Sequence, residues 1–323
     1  MKNRKLINIF LVVAAIAISA IIGRDFINNR KGKSVKNPYE LNLGEYAKVD
    51  SSEILYQETK AIQLKADECH ALAISHDTLF VAVDSSLVFV ATSGQILKVL
   101  PLPAVATAIA IDQSIWLAFN NRVMEFSKNG DQKQAWPEMG PRSVLTSLAV
   151  DDNFVFVADA GNRLILQFAR DGKLINKLGE RDEQKGIDGF TIPSPHFDLD
   201  LSEDGFLWAV NPGEHSLINF NADGSFRTSW SSSSANTEGF SGCCNPVHIS
   251  MAAEDKFITS EKGIVRVKVY DQHGSYLGVV AAPDQFDEDS PAPDVCVDAE
   301  GRVVLLDFSR NQIRFFELKK QDK

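Results

Sequence analysis

The chain has 323 residues, 44% hydrophobic and 24% charged, with a formal net charge of −10, a composition that excludes global disorder. Residues 1–36 hold eight Lys/Arg and one acid, Asp25, leaving 25 basic and 42 acidic residues in the rest, about −17. A body that acidic repels phosphate backbones, and no basic stripe interleaves with aromatics, so nucleic acid is excluded as a partner.

The chain opens with Lys2, Arg4 and Lys5 before a predominantly apolar run from Leu6 to Gly23. Eighteen residues at 1.5 Å rise span about 27 Å, enough for a bilayer core. Residues 1–23 are therefore expected to be one transmembrane signal anchor, with the membrane as its partner. Ala15, Ala17 and Ala20 also suit a cleaved signal peptide, but the apolar run continues through Ile21 and Ile22. More positive charges follow the run than precede it, which taken alone would leave the body in the cytosol. A short basic start before an apolar run is nonetheless the secretory pattern, so the body is expected to be membrane-anchored on the extracytoplasmic, periplasmic or cell-surface, side. Residues 24–50 show no periodicity and read as a polar tether.

From residue 51 the chain becomes strand-rich. A β-like segment at 54–64, ILYQETKAIQL, precedes a pattern written six times. Its inner strands are ALAI (71–74), AIAI (108–111), SLAV (147–150), FDLDL (197–201), HISM (248–251) and DVCV (294–297), small or β-branched as crowding near an axis requires. Each is followed by two more strands, and in five copies a glycine turn then leads to a fourth. Those glycines are Gly94, Gly130, Gly172, Gly224 and Gly274, spaced by 36, 42, 52 and 50 residues. Repetition on this scale marks an array of small sheets that cannot bury their faces alone. The sixth copy stops after QIRFFEL (312–318) in a five-residue tail, 319–323, with no fourth strand. Placing 54–64 there closes the circle and removes an exposed edge. The expected fold is all-β: a six-bladed β-propeller over 51–318, closed by an N-terminal strand and preceded by one N-terminal transmembrane or signal helix.

The stretch VADAGNRLILQFARDGKLINKLG (157–179) closely resembles the NHL repeat, with weaker echoes in LWAVNPGEHSLINFNADGSF (207–226) and VVLLDFSRNQIRFFE (303–317). The resemblance covers about residues 70–318, although the first two blades lack the Asp-x-x-Asn signature. It implies a propeller that serves as a binder or, in some members, an enzyme.

Loops from outer to next inner strand emerge on the same face as loops between second and third strands. The three long insertions, Glu180–Pro195, Ser229–Pro246 and Pro283–Pro293, are all of the first kind, so a protein or small-molecule ligand is expected on that face. His70, His196 and His248 fall at equivalent positions before or at three inner strands, and three imidazoles on one axis suit Zn or Cu. The distant similarity to peptidylglycine-amidating lyase-type propellers, which hold zinc with histidines, points the same way. The adjacent Cys243 and Cys244 are the sharpest chemical feature. One of them is expected to bridge Cys69, with a vicinal disulfide, a thiolate metal site or a redox couple as alternatives; Cys296 reads as a small buried residue. Asn211, His215, Glu261 and Lys262, on loops between second and third strands, complete the candidate ligand face.

No nucleophile elbow, P-loop, dinucleotide-binding glycine pattern or HExxH occurs. The first functional expectation is therefore a membrane-tethered, extracytoplasmic NHL-repeat β-propeller acting as a binding or assembly module for a protein or small ligand. The alternative is a metal-dependent lyase or hydrolase, or a Cys-based redox protein, with its site at the channel mouth.

Overall fold

The computed structural model describes residues 43–181 and 188–320, together with Val13, Ile18 and Ser19. Most of the expected anchor and tether lies outside the described residues, among which no helix is long and apolar enough to cross a membrane. Contacts divide the chain into residues 1–42 and a second unit, Leu43–Lys323. Where the tether was expected to lack regular structure, Leu43–Tyr46 forms a single helical turn.

The second unit contains six four-stranded antiparallel sheets. Five are built from consecutive strands, and the sixth takes Tyr56–Gln63 as its outer strand, paired antiparallel with Gln312–Leu318. Two further bonds flank this closure: Leu64 N–H donates to Asn311 O (2.9 Å) and Lys319 N–H to Leu55 O (2.8 Å). The all-β six-bladed propeller with a ring-closing N-terminal strand is therefore present. All five hairpin glycines have positive φ, between +79° and +101°, a conformation that costs glycine little and other residues more. Gly278 is small for another reason: a Cβ there would sit 2.5 Å from Leu55 and 2.8 Å from Glu53 O, where the closing segment crosses blade five.

Side chains alternate along each strand, so one blade packs against both neighbours. On blade one, Ala71, Phe80 and Ala82 join a cluster with Ile109 and Leu117 of blade two. Leu72, Leu79 and Val81 join Val304, Leu306 and Ile313 of blade six. Blades three to five share the aromatic-rich cluster of Phe156, Phe190, Trp208, Phe240, Phe257 and Tyr270. This inter-blade burial, at about 25 cal/mol per Å² of apolar surface, is the main force holding the ring.

Candidate functional site at the channel mouth

Six inner strands surround an axial cavity of about 540 Å³. Each is the inner edge of its sheet, with ladder groups facing the axis and no neighbour strand. Side chains from the adjacent blade take that place at several junctions. Asp198 and Asp200 of blade four accept the backbone N–H groups of Ile249 (2.9 Å) and Met251 (2.7 Å) of blade five. Asp294 of blade six accepts Leu72 N–H of blade one (2.7 Å), and Ser147 of blade three accepts Leu199 N–H of blade four (3.1 Å). The i, i+2 spacing of Asp198 and Asp200 places both on one strand face.

This bracing carries carboxylates into the channel, where His248 meets two of them. Its Nδ1 lies 3.4 Å from Asp198 Oδ2 and 3.7 Å from Asp294 Oδ1. One donor atom from each of the three residues lies within 4.8 Å of the others. The cluster joins blades four, five and six near the start of their inner strands, on the long-loop face. The side chains are 24%, 14% and 15% exposed, so solvent reaches them without flooding them. The Phe308 ring stands 6.4 Å from the imidazole.

The electrostatics follow from that placement. Burial disfavours the His248 imidazolium, but the hydrogen bond to Asp198 and the charges of Asp294 and Asp198 outweigh it, so its pKa lies above the ordinary value. Burial raises Asp294 to about 6, partly offset by His248. Burial also raises Asp200 to about 6 against its backbone hydrogen bonds. His196 goes the other way: burial, then the charges of Lys262 and His248, lower it to about 4 and leave it neutral at pH 7.

Of the three expected metal ligands, only His248 belongs to the cluster. His70 lines the same cavity, and His196 lies within electrostatic reach of His248, but the three imidazoles do not form a ligand group among the described residues. The donor set is one imidazole and two carboxylates, oxygen-rich and harder than three histidines. It fits Zn²⁺ or Mn²⁺ better than copper. Asp198, just before the strand Leu199–Leu201, and Asp294, at the start of Asp294–Val297, are hard to see as site residues in the sequence because both fall in segments that read as inner strands; a charged residue at an otherwise apolar axial position is the available signal.

Several other candidates turn out to latch the insertions. The residue ending or just following a second strand repeatedly accepts a backbone N–H from the incoming loop: Asp84 from Glu68 (2.9 Å), Asp159 from Val144 (3.1 Å), Asn211 from Thr191 (2.8 Å) and Glu261 from Ser241 (3.3 Å). Glu261 is fully buried and pairs with Arg266 (3.1 Å) and Lys268 (2.6 Å), themselves fully buried. Those cations in turn donate to the carbonyls of Asn236, Thr237 and Gly239, pinning the fifth blade's insertion. Glu261, expected on the ligand face, is therefore held inside a buried ion-pair cluster. His215 holds the same insertion, with its ring nitrogens 2.9 Å from Ser233 Oγ and 2.7 Å from Gly242 O. Lys262 exchanges backbone bonds with the Asn245 side chain (2.9 and 3.0 Å).

The expected disulfide is not formed; all four cysteines are free. Cys69 packs beside Cys296 in the cluster between blades one and six, while Cys243 and Cys244 precede blade five. Blade six separates the two locations, so the expected bridge would have to cross a whole blade. Cys243 and Cys244 contact each other, with sulfurs 3.3 Å apart.

No protein-family model matches this chain, and no curated protein matches its sequence. Solved structures do resemble it. A streptogramin B lyase structure superimposes with a TM-score of 0.60 at 13% identity, over 82% of this chain and 98% of that one. A catalytically inactive histidine-to-alanine variant of virginiamycin B lyase from Staphylococcus aureus, with quinupristin, gives 0.56 at 16% identity, over 79% and 82%. A structural genomics protein of unknown function from Bacteroides thetaiotaomicron gives 0.59 at 14% identity, over 83% and 74%. The likeness is one of fold. Identities this low carry the six-bladed architecture and leave the chemistry to this chain's own residues.

Proposed function

We propose that this NHL-like propeller is a membrane-tethered, extracytoplasmic binding module that holds a divalent cation, and through it a small ligand, at the long-loop mouth of its channel. The observation that carries this reading is the Asp198–His248–Asp294 cluster, three donors from three blades in a half-buried opening. A cation bound there supplies a Lewis acid toward a carbonyl, carboxylate or phosphate oxygen. The residues do the rest. The backbone N–H groups of Ile249 and Leu72 fix the two carboxylates in orientation. The N-terminal basic and apolar run supports the tether.

Isothermal titration of the full-length chain with Mn²⁺ and Zn²⁺ tests the reading. One site per chain is expected, weakened by about 100-fold or more in Asp294→Asn and His248→Ala variants that keep the wild-type circular dichroism. No binding, or binding that both variants leave intact, would overturn it.

A second reading, a metal-assisted lyase or hydrolase, is favoured by one specific feature. His196, neutral at pH 7 and within electrostatic reach of His248, offers a second imidazole to a bound ligand; lowered to about 4, it is a weak base and acts as a hydrogen-bonding partner. The fold likeness to streptogramin-type lyases makes quinupristin a rational first compound. Its consumption by the wild type and not by His196→Ala, followed by mass spectrometry, would support this reading; unchanged compound would dismiss that substrate class.

A further inference from the structure

The adjacent cysteines carry chemistry that the channel site does not use. Cys243 is exposed, whereas Cys244 is 2% exposed, and their sulfurs touch at 3.3 Å. The backbone on either side is held. Gly242, at φ +77°, has its carbonyl 2.7 Å from His215 Nε2. Asn245, 1% exposed, donates to Ser241 O (2.6 Å) and Lys262 O (3.0 Å) and accepts Lys262 N–H (2.9 Å). One thiol is thus open to a disulfide from solvent, and the second is in contact with it, within reach of the mixed disulfide that would form.

We propose that Cys243 and Cys244 form a thiol–disulfide exchange site on the long-loop rim, with Cys243 attacking, Cys244 resolving, and a small-molecule or peptide disulfide as co-reactant. The proposal goes beyond the cation site and uses none of its residues. The Cys243 thiolate attacks one sulfur of the disulfide; that S–S bond breaks, and the first thiolate leaves to take up a proton from solvent. Cys244 then gives its proton to solvent and attacks Cys243 Sγ; the mixed S–S bond breaks and the second thiolate leaves, also to be protonated. The dithiol is oxidised by two electrons to a Cys243–Cys244 disulfide, and the co-reactant is reduced to two thiols. Lys262 favours the attacking thiolate, against the hydrogen bond to Cys244 and its charge, which hold the Cys243 pKa above its ordinary value. Cys69 and Cys296 do not compete: both are buried, and burial pushes Cys69 up to about 11 and Cys296 well above its ordinary value. Closing the ring draws the sulfurs from contact to about 2.05 Å, four residues before His248, so the rim beside the cation site takes two redox-dependent shapes.

The test uses the fully reduced full-length chain, equilibrated with oxidised glutathione, acid-quenched, alkylated and mapped by mass spectrometry. Wild type is expected to finish with a Cys243–Cys244 disulfide and no retained glutathione. Cys244→Ser is expected to stop with one glutathionyl group on Cys243, and Cys243→Ser to take none. Wild type that keeps its two free thiols, or that retains glutathione without closing the ring, would overturn the proposal even if neither variant folds. A Cys244→Ser protein with native circular dichroism that takes no glutathione would overturn it as well.

Discussion

Deleting residues 51–65 removes the strand that latches the ring. Seven registered positions between Tyr56–Gln63 and Gln312–Leu318 are lost, worth about 7 kcal/mol at ~1 kcal/mol net per ladder hydrogen bond. Removing Leu64, buried at 6% exposure in the core between blades one and six, takes away about 2 kcal/mol more. The ion pair of Glu58 with the nearly buried Arg314 (2.6 Å) also disappears. A total of about 9 kcal/mol falls within the 5–15 kcal/mol that holds a typical domain folded, and the deletion also bares the edge of Gln312–Leu318. The shortened protein is expected to show no cooperative thermal transition and to aggregate, read by circular dichroism melts and light scattering. A deletion variant melting at the wild-type temperature with wild-type cooperativity would refute the closure.

Replacing Glu261 with Ala leaves two fully buried cations, Arg266 and Lys268, without their carboxylate; a loss of about 3–5 kcal/mol is expected from urea unfolding, and a loss below 1 kcal/mol would contradict the latch. Burial raises Asp200 to about 6 from its ordinary 3.8, so between those values the folded chain holds a proton that the unfolded chain releases. Its contribution to stability is therefore greatest below about pH 4 and is lost as pH rises through 6, by an amount on the order of 2–3 kcal/mol. Subtracting the Asp200→Asn stability curve from the wild-type curve should isolate that fall, and a flat difference between pH 4 and 6 would disprove it.

Much of this architecture was legible in the sequence because it is written in periodicity and turn chemistry. The inner strands at Ala71–Ile74, Ala108–Ile111 and Asp294–Val297 fall inside observed strands, and the count of five hairpin glycines for six sheets foretold which blade borrows its outer strand. Side-chain partnership was less legible, because it depends on which blades are neighbours. Cys69 and the Cys243–Cys244 pair looked equivalent along the chain but are separated by blade six. Glu261 looked like a solvent-facing loop acid; Arg266 and Lys268, two cations at alternate positions of a buried strand, were the sign that a carboxylate was needed inside. Asp198 and Asp294 were hidden by their double role, since bracing a neighbour's edge N–H and facing the channel leave the same single letter in the sequence. The start expected for the insertion entering blade five, Ser229, was also early: the outer strand of blade four runs on to Ser231.

Anomalous diffraction detects a cation at the channel mouth by its own scattering. Crystals soaked in Mn²⁺ and measured at its absorption edge should show one strong peak within ligand distance of His248 Nδ1 and of the Asp198 and Asp294 carboxylates. A peak held instead by His70 and His196, or no peak in the channel at saturating metal, would contradict the account.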